Sequence, residues 1–243
     1  MTLEKGSPQQ GPAVVLVPCA ETNRLGCRLV RRAVELVAGD TPELAVAEAG
    51  ACPRGRGQFV VAIDASQQCQ ASAALDEAGL RPSAVVSAPA VLARAGLVKP
   101  GVDVRARAEE LSQALADAIR EVSRQALAEA RERRQYREAM APVLARFGGI
   151  WSKVESLPPP DGAAPPGEAT RVELLAKRSR NLFVKFDEIV PPAEWSEPHD
   201  LFQDALLCIA YACEGWGAGD SARWEQNLEK ARVQLRPLLR RLQ

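Results

Sequence analysis

Three cysteines and one aspartate follow the predicted strands in the N-terminal half of the chain. Cys19 comes directly after the first apolar run, and Cys52 lies three residues after the second predicted strand. Asp64 follows the third predicted strand, and Cys69 comes a few residues later. Because ligand groups of an open parallel sheet gather at the carboxyl ends of its strands, we expect these side chains at one rim. Three sulfurs and an oxygen suit tetrahedral zinc, although packing in the core remains an alternative.

Cys19 also precedes a predicted helix, whose N-terminal N–H groups and dipole favour a thiolate. It could therefore act as a nucleophile or, paired with Cys52 or Cys69, as a redox thiol. Arg24, however, lies one position too early for the phosphate-binding loop of low-molecular-weight phosphatases, and no glycine precedes the helix. A thiol enzyme using Cys19 is the alternative hypothesis to a binding protein.

The other reactive residues do not complete a catalytic set. His199 is the single histidine, and its position at the start of a predicted helix beside Asp200 indicates a capping or surface residue. Cys208 and Cys213 are five positions apart, so they do not share one face of a helix, and Cys213 lies on the apolar seam. No glycine-rich phosphate loop occurs.

The elements that must position these residues change character midway along the chain. Short apolar runs alternate with helical spacing in the first part, which predicts a small parallel α/β sheet with right-handed crossovers. Steps of three and four from Val102 onward predict long amphipathic helices forming an up-and-down bundle. Pro142 is expected to kink or restart the first of these, and Thr170 to cap another. The predicted organisation is a disordered leader over 1–12, an α/β domain over 13–100, a connecting long helix over 101–130, and a helical bundle over 131–243 with a proline-rich linker at 158–169.

Composition excludes several classes of function. The 31 basic residues balance the 31 acidic ones, and aromatic residues make up only 5%, so we expect no nucleic-acid binding. No apolar run is long enough to span a bilayer, and the start of the chain lacks the apolar core of a signal peptide. We therefore expect a cytoplasmic protein with no membrane partner, whose six cysteines are thiols or metal ligands.

The segment 13–95 resembles the DGC-type putative zinc-binding family of small α/β proteins. That family has a Cys-x-x-(Ser/Thr)-Asn motif after its first strand, which is matched here by Cys19, Thr22 and Asn23. It also has an Asp-Gly-Cys motif after a buried strand, where this chain has Asp64, Ala65 and Ser66. The resemblance implies zinc as a cofactor and a binding role for Thr22, Asn23 and Ser66 beside the metal ligands.

The cysteine motif departs from the family's pattern. A later cysteine of the family corresponds to Cys69, which is displaced here by one position. The family's cysteine near the second strand corresponds to Ala47, with Cys52 as a nearby substitute. Cys19 and Asp64 match the pattern directly. The zinc site that the resemblance implies is therefore either remodelled or lost.

These observations lead to one main hypothesis. The chain is predicted to be a non-catalytic, metal- or thiol-dependent binding or sensing protein. Its DGC-like cysteines would lie at the carboxyl ends of the strands, which we call the crest of the sheet. The helical bundle is expected to mediate self-association or to bind a protein partner. A third reading, in which the α/β part is only a scaffold for the bundle, also fits the sequence.

Overall fold

The computed structural model describes residues 13–21, 23–52, 58–68, 70–98, 103–162 and 165–242. The chain divides into two compact units, Met1–Arg131 and Glu132–Gln243. Within the described part, none of the helices combines the length and the apolar character needed to cross a bilayer.

The first unit contains a four-stranded parallel sheet in the order β2-β1-β3-β4. Its elements are β1 (Val14–Pro18), α1 (Leu25–Asp40), β2 (Leu44–Val46), β3 (Phe59–Asp64), α2 (Ala71–Glu77), β4 (Ala84–Ser87) and α3 (Ala88–Arg94). Strand β1 pairs in parallel with both β2 and β3. The predicted parallel α/β sheet is confirmed. Strand β2 ends earlier than expected, because the chain turns into a short 3-10 helix at Ala49–Ala51.

Side chains of the two central strands alternate between two hydrophobic clusters, as the period of two along a strand requires. Val14 and Leu16 of β1 pack with α1 in one cluster, which we call the α1 face. Val15 and Val17 pack with Ala71 and Leu75 of α2 in the other, the α2 face. The sheet is thus covered on both sides, which explains why its strands read as continuous apolar runs.

Helix α4 (Ala108–Glu155) begins as part of the first unit. Leu111, Leu115 and Ile119 are fully buried and belong to the α1-face cluster. The segment predicted as a connecting helix therefore contributes core side chains to the α/β unit.

The second unit contains the end of α4 together with α5 (Pro166–Asp187), α6 (Ser196–Gly217) and α7 (Ser221–Leu242). All four helices contribute buried side chains to one hydrophobic core. This confirms the predicted helical bundle, in which each helix places one apolar seam inward.

Two local predictions about the bundle are wrong. The restart predicted at Pro142 does not occur, because α4 continues through this residue; the kink predicted there stays a prediction. Pro142 is exposed, so water can satisfy the carbonyl that loses its partner. Helix α5 begins at Pro166 rather than at Thr170, because proline is preorganised for the first turn of a helix. Thr170 lies inside the helix and its hydroxyl donates to the Pro166 carbonyl at 3.0 Å.

Candidate functional site at the carboxyl edge of the sheet

The first and third strands end side by side. Pro18 of β1 is in register with Ile63 of β3, so Cys19 and Asp64 follow at the same edge. The parallel direction that we expected for the first three strands is correct. Chain direction alone, however, does not bring all of the predicted ligands together.

Cys19 and Cys52 lie in different cores. Cys19 is 3% exposed and packs in the α1-face cluster. Cys52 is 6% exposed and packs in the α2-face cluster, where burial raises the pKa of its thiol. The structure therefore does not unite these two predicted zinc ligands.

The carboxylate of Asp64 is engaged by the start of helix α2. Its Oδ1 accepts a hydrogen bond from the backbone N–H of Ser72 at 3.0 Å, and its Oδ2 accepts one from the Ser72 hydroxyl at 2.7 Å. Ser72 lies in the first turn of α2, where backbone N–H groups lack helical partners and a negative charge is favourable. Asp64 thus anchors a helix onto the strand that precedes it.

The remaining predicted site residues are dispersed. Thr22 and Cys69 lie outside the described residues. The hydroxyl of Ser66 accepts a hydrogen bond from the Gln68 backbone N–H at 3.2 Å and closes the turn after β3. Asn23 is exposed, and it precedes Arg24, which occupies the N-cap position of α1 and makes no side-chain capping bond.

Arg24 joins the loops that follow β1 and β3. Its Nη1 donates to Oε1 of Gln68 at 2.5 Å, and its Nε lies 3.2 Å from the carboxylate of Glu21. Close beside it, a Cβ at Gly26 would lie 3.1 Å from the Ala65 carbonyl oxygen, so α1 starts against the loop after β3. Sequence reasoning missed Arg24 as a bridging residue, because nothing in the pattern pairs it with a residue 44 positions away.

The described residues do not form a metal centre. Across the part of the chain that the structure describes, no group of three or more histidine, cysteine, aspartate or glutamate side chains could hold a metal ion. Cys19, Cys52 and Asp64 therefore do not suffice as a ligand set. The zinc prediction depends on Cys69 and stays a prediction.

His199 is a core residue, so its predicted surface position is wrong. It is 5% exposed, and its ring stacks on Phe186 with centroids 4.0 Å apart. Nδ1 lies 2.9 Å from the hydroxyl oxygen of the buried Tyr136. A signal was present in the sequence, because His199, Phe202 and Leu206 fall at helical spacing on the seam of α6.

The two cysteines of the bundle are also buried. Cys213 is 1% exposed, and burial raises the pKa of its thiol to about 12; its predicted core position is correct. The Cys208 sulfur lies 3.5 Å from Oε1 of Gln234, and burial raises the pKa of that thiol as well. Neither is suited to nucleophilic chemistry, which requires a thiolate.

No protein-family model, curated protein or solved structure matches the chain.

Proposed function

We propose that the protein is a non-catalytic binding or sensing protein, in which an α/β unit with a thiol at its crest carries a helical bundle that binds a partner. One observation supports this most directly: the described groups best able to perform acid–base or nucleophilic chemistry are committed to structural contacts. Asp64 binds the first turn of α2, His199 binds Tyr136, and Cys19 is buried.

The metal-dependent form of this proposal needs a thiol beyond the described residues. Asp64 already accepts two hydrogen bonds from Ser72, and Cys52 packs on the face opposite to the cluster of Cys19. A zinc site on the crest would therefore combine Cys19 with Cys69, the thiol that follows β3 in the sequence. The resemblance to the DGC-type family motivates zinc as the metal.

Metal analysis tests this form. Protein purified without a histidine tag is compared with Cys19→Ser and Cys69→Ser, and Cys208→Ser in the bundle is the matched control. Near-stoichiometric zinc that both crest variants lose and the control retains would support the metal-dependent form. Negligible zinc, or zinc that neither crest variant reduces, would restrict the proposal to metal-independent binding.

Alkylation kinetics separate the proposal from the thiol-enzyme alternative. Iodoacetamide should react slowly with Cys19 in the native protein, because the side chain is only 3% exposed, and quickly after unfolding. Peptide mass spectrometry identifies the modified residue. Rapid modification of Cys19 in the folded protein would instead favour the enzyme.

A further inference from the structure

The second unit contains a cleft between α4 and α5 in which every charged lining residue that the structure describes is basic. Arg146 and Lys153 of α4 and Arg178 and Lys185 of α5 line a space of about 400 Å³. We call this feature the cationic cleft.

Among the described residues, no carboxylate forms an ion pair with the four charges of the cationic cleft. All four side chains are exposed, and none forms an ion pair within 4.0 Å with a described acidic residue. Arg180, two positions from Arg178, does pair with Glu214. Four basic side chains with no described carboxylate among the lining residues make a local excess of positive charge, which favours an anion.

The floor of the cationic cleft is apolar and open. Ile150 and Leu182 line it and are buried from solvent at 5% and 3% exposure. Gly149 also lines it, and a Cβ placed there would meet no atom within 4 Å. Glycine inside a helix is destabilising relative to alanine, so Gly149 leaves the floor open at a cost to the stability of α4.

We propose that the cationic cleft binds a small amphiphilic anion. Its apolar body would lie on Ile150 and Leu182, and a phosphate or clustered carboxylates would contact the surrounding cations. The charged residues span two helical turns, about 10 Å, and the volume of the cleft lies in the range of small-molecule sites.

A phosphate monoester on an alkyl chain has the required chemistry, because it carries nearly two negative charges at neutral pH and an apolar tail. The same group could reach the cleft as a free molecule or as a lipid headgroup in a bilayer. This inference deepens the binding role proposed for the bundle, and it does not depend on a metal at the crest of the sheet.

Isothermal titration with octyl phosphate tests the inference on the full chain, with octyl glucoside as a neutral ligand of the same tail. We expect binding of octyl phosphate alone, weakened by added salt. Gly149→Leu should abolish it by filling the floor. Gly148→Leu is the matched control, because Gly148 is in the same helix, also has an unoccupied Cβ position, and does not line the cleft.

A charge series gives a second measurement. The double variant Arg178→Gln/Lys185→Gln should weaken binding by about tenfold, since each exposed charge contributes several-fold. Arg236→Gln/Arg240→Gln removes two exposed charges from α7 and should leave the affinity unchanged. Circular dichroism confirms that each variant is folded.

Co-sedimentation with phosphatidylcholine vesicles containing phosphatidic acid distinguishes the two sources of the anion. Binding to vesicles, lost in Gly149→Leu, with no binding of octyl phosphate would indicate a headgroup site. Binding to neither, or binding that Gly149→Leu leaves intact, would overturn the inference. The zinc measurement on the crest would be unaffected by that outcome, so the two proposals fail separately.

Discussion

The hydroxyl oxygen of Tyr136 lies 2.9 Å from Nδ1 of His199 inside the helical bundle. Both side chains are buried, at 3% and 5% exposure, and Phe186 stacks on the histidine ring. Burial lowers the pKa of His199 and raises that of Tyr136. The pair is thus a neutral hydrogen bond between α4 and α6, in which the tyrosine hydroxyl donates when the imidazole carries its proton on Nε2.

Tyr136→Phe should destabilise the second unit by about 1–3 kcal/mol, because it leaves a buried imidazole nitrogen without its hydrogen bond. All four tryptophans of the chain lie after residue 150, so urea unfolding followed by tryptophan fluorescence reports on this unit. Tyr211→Phe is the matched control, since Tyr211 is 41% exposed. Equal stability of the two variants would show that the buried bond is not stabilising.

The stability of the second unit should fall as the pH falls below about 6.5, the pKa of an unperturbed histidine. Burial lowers the pKa of His199 against the opposing influence of Asp200 and Asp187. The unfolded state therefore binds the proton first, and the free energy of unfolding declines until the pH passes the folded-state pKa. Above the pKa of the histidine in the unfolded state, the contribution of His199 to the free energy of unfolding is constant.

Urea titrations at pH about 7.5 and about 5.5 measure this slope. His199→Gln is the comparison, because it removes the only imidazole in the chain and keeps a hydrogen-bonding side chain. We expect a smaller loss of stability on acidification in this variant than in the natural protein. Identical slopes would mean that other groups, chiefly carboxylates, set the pH dependence.

Asp64→Asn and Ser72→Ala should weaken the start of α2 by similar amounts, about 1–2 kcal/mol each, because they remove the two ends of one charge-assisted contact. Hydrogen exchange of peptides covering 71–77 measures the local loss of protection. Asp76→Asn changes an exposed carboxylate in the same helix and serves as the control. A loss of zinc in Asp64→Asn, with Ser72→Ala unchanged, would assign Asp64 to a metal instead.

Two glycines of the second unit should respond to alanine in opposite directions. Gly148→Ala should stabilise the unit by about 0.5–1 kcal/mol, because its Cβ position is open and alanine favours a helix. Gly215→Ala should destabilise it, since the new Cβ would lie 3.1 Å from the backbone nitrogen of Trp224. Thermal unfolding monitored by tryptophan fluorescence shows whether each variant unfolds at a higher or a lower temperature. A stabilised Gly215→Ala would contradict the packing of α6 on α7.

The sheet could be predicted from the sequence because strand and helix patterns alternate, and this alternation imposes parallel pairing. The same reasoning placed Cys19 and Asp64 at one edge but could not place Cys52. Connectivity specifies the edge at which a strand ends, whereas the face is set by backbone dihedrals beyond the last paired residue. Cys52 follows the 3-10 helix after β2 and packs on the α2 face. No residue pattern in the sequence predicts that turn.

In the bundle, the helices could be predicted from the sequence, but the contacts between residues on different helices could not. Its seams are visible as helical spacing, yet the helix-start position of His199 beside Asp200 predicts a capping or surface residue. A buried imidazole needs a hydrogen-bonding partner. That partner, Tyr136, lies 63 positions away and cannot be identified from local sequence. The cationic cleft could not be predicted from the sequence for the same reason. Its charged residues come from two helices, and in the sequence each helix shows only an ordinary solvated face.

The early turns of α4 share with α1 the hydrophobic cluster that covers one face of the sheet. A truncation that ends at residue 100 would retain every strand and still bare the aliphatic surface against which Leu111, Leu115 and Ile119 are packed. Such a fragment would be prone to aggregate. The smallest autonomous piece of the N-terminal half is therefore longer than its strands and crossover helices suggest, and it extends to about residue 131.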